Sequence, residues 1–397
     1  MAHRNAGFQT SLVQATVEVA DLLRGNARIA RDGGMYWHQP VPSARPPVLG
    51  PHLYAGTAGI SLFFAAMAKV FDADEFREIS ERAIAPVRAD IRQICADPVR
   101  MQRLQQPLGG LAGLGSVIYT LVRIGDLLND ESFADDAQIA ARLLSADRIA
   151  AAKHDVMIGS AGAIMALLAL AERRPKRIAG GERPLELAVR CARHLSRSDE
   201  WISAEGPAAA GFCHGRAGIG AAFARLYERT NRPELWQMVP RLFADVASSG
   251  PSGPRQAPTL DDRFLNSWCK GAPGIALGHI ALSRVTSRRQ PGDTVHMLET
   301  TGAPGLSETD DLCCGNSGRI DVLVYAASAL REPGYLDAAA AIATRVMQRA
   351  REQGRYSLKL ANGTDVDPRL FPGVAGIGYS LLRLSAPDSL PCVLAMA

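Results

Sequence analysis

The sequence predicts an all-α protein of seven helix-pair repeats, which could stack into an open solenoid or close into a double ring of helices, an α/α toroid. Three observations predict it. A G-x-x-G motif leading into an apolar run recurs as "AGTAGISLF", "GGLAGLGSV", "IGSAGAIMA", "HGRAGIGAA", "KGAPGIALG", "CGNSGRIDV" and "PGVAGIGYS". Its first glycines, Gly56, Gly110, Gly159, Gly215, Gly271, Gly315 and Gly373, keep a spacing of about fifty residues, as repeat arrays do. After each motif the apolar residues recur at helical spacing, as in "GIGAAFARLYERT", and no stretch of similar length alternates with period two.

Taken in chain order, residues 1–48 read as an N-terminal helix ("SLVQATVEVADLLRG") and a linker, and residues 49–397 as the toroid, one domain overall. The proline-rich "HQPVPSARPPVLGPH" has the composition of an extended connection. Each repeat then reads as an outer helix, a loop carrying the motif, and an inner helix beginning at the second glycine. Glycine allows close backbone approaches that a side chain would block. The inner helix start also presents free N–H groups and a partial positive charge. Between motifs lie amphipathic stretches suited to the outer ring, such as "PLELAVRCARHLSRS" and "LDAAAAIATRVMQRARE". Two stretches, "ASSGPSGPRQAPTLDDR" and "SRRQPGDTVHMLETTGAPGLSETDD", read as long loops and are expected to form peptide-binding edges. Closure of the ring gathers all seven motif loops at one end of a central cavity.

Composition narrows the function classes. With 47% hydrophobic and 21% charged residues the chain can bury a large core. A net charge of +4 leaves no basic stripe, so nucleic acid is not an expected partner. Runs such as "GISLFFAAMA" fall well short of the roughly 20 apolar residues of a membrane span. The N-terminus has no apolar signal core, so a cytoplasmic location is expected. In a reducing compartment seven cysteines raise metal or thiol chemistry before disulfides.

Aligning the loops on their first glycine sorts the polar groups. Two residues before it stand Tyr54, Leu108, Met157, Cys213, Cys269, Cys313 and Phe371. One residue before it stand Ala55, Gly109, Ile158, His214, Lys270, Cys314 and Pro372, and Asp155 precedes the third motif by four. Cysteines at one phase of neighbouring repeats should meet in the cavity. Two readings stand side by side: Cys269, Cys313 and Cys314 are three ligands of an open zinc site, or they are small buried hydrophobes. Cys95, Cys191 and Cys392 read as core.

The motifs "LYAGTAGISLF", "HDVMIGSAG", "GFCHGRAGIG", "NSWCKGAPGIALG", "LCCGNSGRI" and "LFPGVAGIGYSLLRL" resemble, in the same order, those of the lanthionine synthetase C-like (LanC) thioether cyclases. The likeness is to the C-terminal cyclase domain of class II (LanM) lanthipeptide synthetases, and it covers essentially the whole chain. The resemblance implies a seven-fold α/α toroid with one Zn2+ at its mouth and a dehydrated precursor peptide as substrate. It implies addition of peptide cysteine thiolates to dehydroalanine or dehydrobutyrine, giving (methyl)lanthionine rings. A separate dehydratase, or kinase/lyase, is then the expected partner enzyme.

Carried over residue by residue, the resemblance implies Cys269, Cys313 and Cys314 as zinc ligands, with Cys314 where many members have histidine. It implies His214 as the proton-transfer group with Asp155 beside it. The tyrosine expected after the first zinc cysteine is Lys270 here, and the arginine four residues before that cysteine is Leu265; Arg263 is a nearby substitute. Lys270, Arg263 and Arg319 are candidate enolate or peptide-carbonyl contacts. Cys213 shares the phase of two implied ligands, but a fourth protein sulfur would fill the substrate's position; it is expected to be passive, so that Cys213→Ala keeps metal and activity. Two other functions fit the same motifs: a non-catalytic zinc-containing peptide scaffold, or addition of glutathione or another thiol to dehydrated residues.

Overall fold

Seven inner helices form a closed ring in the computed structural model, which describes residues 5–176, 182–198, 207–243, 265–286, 292–359 and 366–397. They are Thr57–Phe71, Leu114–Leu128, Ser160–Arg173, Arg216–Thr230, Ala272–Ser283, Asn316–Leu330 and Val374–Ser385. Each packs against the next, and the last packs against the first. Such helices are apolar nearly all round: Ser160–Arg173 buries every residue from Ser160 to Ala171. That is the pattern of a helix covered on both sides.

The outer ring is amphipathic. Pro184–Ser196 buries Leu187, Ala188, Cys191, Ala192 and Leu195, and its charged residues fall on the opposite side. Ala6–Asn26 is not an appendage: it packs against Val374–Ser385 as the outer partner of the seventh inner helix. The segment that follows it is pinned rather than merely extended. Arg28–Ile29 and Met35–Tyr36 form a short antiparallel hairpin, and buried Trp37 donates its indole N–H to the Leu23 carbonyl at 2.8 Å. No described helix is long and apolar enough to cross a membrane.

Closure is visible in single hydrogen bonds between the motif loops. Tyr54 N–H donates to Leu111 O (2.9 Å), Leu111 to Met157 (3.3 Å), Met157 to Cys213 (3.3 Å) and Cys213 to Cys269 (3.2 Å). Trp268 N–H donates to Cys313 O (3.0 Å), Cys313 to Phe371 (3.1 Å), and Phe371 back to Tyr54 (3.1 Å). Every loop therefore satisfies its backbone on its neighbours, and the loops cannot move independently.

Three details correct the sequence reading. Each inner helix is capped at the first glycine rather than started at the second, so the second lies within the first turn. In the second repeat the cap is Gly113, not Gly110. Leu111 and Ala112 therefore hold the positions assigned to Leu108 and Gly109, and Ser116 replaces the second glycine. The run "GGLAGLG" matches G-x-x-G only at Gly110 and Gly113, whereas the helix start makes Gly113 the first glycine. The third detail is that the second long stretch is no loop throughout. Residues Gly292–Gly302 form an outer helix whose buried stripe includes Thr294, Leu298 and Thr301, a face disguised by two threonines. The first long stretch, with Arg263, lies outside the described residues.

Space, not torsion, demands the second glycine. A Cβ on Gly218 would stand 1.9 Å from the Phe212 carbonyl oxygen, a main-chain atom of the same loop. Gly218→Ala is expected to destabilise the protein by about 3 kcal/mol through forced backbone displacement, read as a lower urea midpoint.

The C-terminal segment fills the middle of the ring. Leu390 and Cys392 to Met396 are buried. Inner helices two repeats and more apart hold this segment: Tyr379 donates to Pro391 O (2.7 Å), and Arg225 to the carbonyls of Ala395 (2.8 Å) and Met396 (3.0 Å). Arg383, ion-paired with buried Asp321 at 2.7 Å, donates to Leu390 O. The motif loops thus rest on a solid interior.

Candidate metal centre

The sulfur atoms of Cys269, Cys313 and Cys314 all lie within 4.8 Å of one another. Cys269 Sγ is 3.5 Å from Cys314 Sγ, which is 3.6 Å from Cys313 Sγ. Two features of the repeat bring them together. Cys269 and Cys313 occupy the same phase of adjacent loops, tied through the Trp268–Cys313 rung. Cys314 is turned beside them because its N–H donates to Asp311 Oδ1 at 2.7 Å. Cys269 and Cys313 are buried, and Cys314 is half-buried on the mouth side.

The thiols share charge unevenly. The S–H groups of Cys313 and Cys314 hydrogen-bond to Cys269 and hold it well below the ordinary thiol value; the same bonds, with burial, push Cys313 up. One proton leaves the trio easily and the others are retained, unless a cation compensates the second and third charges. A tetrahedral zinc with bonds of about 2.3 Å sets sulfur–sulfur separations near 3.8 Å. The observed 3.5 and 3.6 Å separations from Cys314 are close to that spacing, and the third lies within 4.8 Å.

An aromatic floor lies under the trio. Tyr54 stacks on Phe371 (4.8 Å between centroids), Phe371 meets Trp268 at 5.4 Å, and Trp268 meets Phe212 at 5.7 Å. Phe212, Trp268 and Phe371 are buried. Buried aromatic rings beside charged groups lower the local dielectric and strengthen their interactions.

His214, one loop before Cys269, binds Asp155 Oδ2 through Nδ1 at 2.8 Å. Asp155 is itself fixed, accepting the Ile158 N–H at 2.8 Å on its other oxygen. This bond, opposed by burial, raises the imidazole pKa above 6.5. The ring nitrogen Nε2 is thereby left to act on a substrate, and the imidazole carries its proton to higher pH. Lys270 is half-buried at the phase between His214 and Cys314; its positive charge helps lower Cys269 and opposes protonation of His214.

Arg319 does not belong to this site. Its side chain is buried and donates to Thr301 O (2.9 Å), Gly305 O (2.5 Å), Ala303 O and Asn316 Oδ1 (3.2 Å). It clamps the turn after Gly292–Gly302, with four of its five N–H donors engaged there. Leu265 contributes its carbonyl, which accepts the Ala272 N–H at the fifth helix start. Cys213 is fully buried and lies outside the sulfur trio; its backbone carries rungs on both sides of the ring.

Two further residues adjoin the centre. Asp311 stands four residues before its glycine, the same phase as Asp155, and makes the same turn-stabilising bond. Tyr54, at the phase of the cysteines, has its phenol pushed up first by burial and then by the nearby Cys313 thiol. Phase was the available signal for both. At the opposite end of the ring a cavity of about 570 Å³ is lined by Arg123, Glu172, Arg225, Glu228 and Arg284. Arg123 pairs there with Glu172, and Arg284 with Glu228.

The solved structure of nisin cyclase superposes with a TM-score of 0.62 at 12% identity, covering 87% of this chain and 92% of that chain. At that identity the match establishes the fold. A sugar epimerase from a ruminal bacterium (12% identity, 76% and 99% coverage) and a family 76 glycoside hydrolase from a bovine Bacteroides thetaiotaomicron strain (8% identity, 76% and 70%) score only 0.40 and 0.37, too low to carry an argument. Residues 47–395, spanning all seven motif loops, match the family described as lanthionine synthetase C-like protein. The chain belongs to the lanthionine synthetase C-like family and has its cyclase fold.

Proposed function

We propose that the protein is a zinc-dependent peptide cyclase that joins cysteine thiolates to dehydroalanine or dehydrobutyrine in a dehydrated precursor, forming (methyl)lanthionine. One observation carries the reading: three convergent sulfurs stand one loop from an Asp155-bound His214 at the same mouth. Cys269, Cys313 and Cys314 would hold the ion. A bound zinc would keep the incoming peptide thiol as its thiolate at neutral pH, against an ordinary pKa near 8.5.

The remaining work falls to side chains of the chain. Sulfur attacks the β-carbon, a C–S bond forms, and the C=C pair moves to the α-carbon and carbonyl as an enolate. His214 delivers a proton to the α-carbon, and Asp155 holds the imidazole in position and favours its charged form. Lys270 contributes positive charge beside the developing enolate; Arg263 is a second candidate for that role. Overall the thiol proton is replaced at carbon, and no oxidant or reductant is needed. Because the alkene must already exist, a dehydrating enzyme must act first.

The test is incubation of zinc-loaded protein with a dehydrated, cysteine-containing peptide. Loss of free thiol at unchanged peptide mass is expected. A mass gain with added glutathione would instead identify intermolecular thiol addition, and inertness toward dehydrated peptides that bind would identify a scaffold.

A further inference from the structure

We propose that the cavity at the end of the ring opposite the motif loops is a binding site for a small organic anion, a carboxylate or a phosphate ester. Its volume of about 570 Å³ is that of a small-molecule site. Repetition builds its walls in two tiers. Arg123, Arg225, Ala281 and Tyr325 stand ten residues after the cap glycines Gly113, Gly215, Gly271 and Gly315, and all four line the cavity. Glu172, Glu228 and Arg284 stand thirteen after Gly159, Gly215 and Gly271; they line it one helical turn further on, at exposed positions. Five consecutive inner helices thus turn side chains into one space, with the filled ring between it and the sulfurs.

The arginines there are of two kinds. Arg123 is matched by Glu172 (3.3 Å) and by Asp126 (3.0 Å), which it shares with Arg173, and Arg284 is matched by Glu228 (3.0 Å). Arg225 and Arg229 have no carboxylate partner among the described residues. Arg225 gives Nη1 to the carbonyls of Ala395 (2.8 Å) and Met396 (3.0 Å), and its Nε and Nη2 have no partner among the described residues. Neither nitrogen is sealed in packed protein, yet desolvation works against the charge of the group. A hydrogen-bonded anion offsets that cost. Even with a terminal carboxylate on Ala397, four arginines and three carboxylates line the space. Helix C-termini attract cations on their own, but Arg225 is bonded to the C-terminal segment rather than to a helix end. Guanidinium forks match the oxygens of carboxylate and phosphate. Buried Leu168 and Ala281, with the Tyr325 ring, offer an apolar wall to the ligand's carbon atoms.

Isothermal titration calorimetry with inorganic phosphate and with glutarate tests the site, against sodium chloride at equal ionic strength. One anion per chain is expected to bind, with a Kd below about 1 mM. The tighter of the two identifies the ligand as a phosphate ester or a carboxylic acid. Arg225→Gln would also release the C-terminal segment, so the decisive variants leave that residue alone. Arg229→Gln, at an exposed position, should weaken binding about two- to fivefold, and Glu228→Gln, which frees Arg284, should tighten it by a similar factor. A gain of affinity cannot come from misfolding. Cys313→Ala, without its metal centre, should bind as the wild type does. Three results would each overturn the proposal: no saturable binding of either anion, binding lost in Cys313→Ala, or affinities indifferent to both Arg229→Gln and Glu228→Gln. None of them bears on the cyclase reading, which stands or falls by the dehydrated-peptide assay.

Discussion

Cys313→Ala protein is expected to lose its metal and, with it, all measurable cyclisation. The substitution removes one of the two buried sulfurs of the trio and leaves Cys269 and Cys314, 3.5 Å apart, as the remaining ligands. Outer-shell losses at metal sites cost about 10- to 100-fold in affinity, so loss of a direct thiolate should cost roughly a thousandfold or more. Competition with a chromophoric chelator would measure it, with Cys213→Ala as the control expected to keep one zinc per chain. Metal retention by Cys313→Ala, or its loss from Cys213→Ala, would require a different ligand set. A milder change sharpens the charge argument. Cys314→His should retain the ion but slow sulfur attack, because the complex becomes one charge less negative and holds the substrate sulfur more tightly.

His214→Asn is expected to leave zinc content unchanged and to slow cyclisation by about 10²- to 10⁴-fold, the range of a lost general acid. Its pH signature follows from the bond to Asp155. Because that bond raises the His214 pKa above 6.5, the acid stays protonated up to the raised value, and activity should fall as pH climbs through it. Asp155→Asn removes the main cause of the shift, so the alkaline limb should move to lower pH. The linked stability has the same sign: it is fully present below the unfolded value near 6.5 and lost as pH rises through the folded one. NMR titration of the His214 ring in wild type and Asp155→Asn would check the direction; an unchanged His214 pKa would rule out Asp155 as the cause. The imidazole is 46% exposed, so its effect on overall stability will be small beside its effect on rate.

Much of this was legible from periodicity alone. Seven glycines before seven apolar runs determine an all-α repeat protein, because each loop needs the same close backbone approach and each inner helix the same burial. Phase within the repeat also put Cys269 and Cys313, with Cys314 beside them, in one region, since equivalent positions of stacked repeats face the same way; Asp155 beside His214 was implied by the family resemblance. The alignment nevertheless failed where local sequence was ambiguous. In "GGLAGLG" the G-x-x-G match begins three residues before the glycine that caps the helix, and the helix of Gly292–Gly302 hides its apolar face behind Thr294 and Thr301.

Closure was decided only in three dimensions. A repeat sequence is equally compatible with an open solenoid, and nothing local makes Phe371 donate to Tyr54 or sets Ala6–Asn26 against the last inner helix. The fate of individual charges was decided there as well. Arg319 lies four residues beyond the cap of the cysteine loop yet turns into the outer layer, where three backbone carbonyls claim it. Tyr54, far away in the chain, comes within two backbone rungs of Cys313 because the ring closes. Phase is a property of neighbouring residues and can be read along a chain; proximity across a closed ring depends on where its ends meet, which is set by packing summed over all seven repeats.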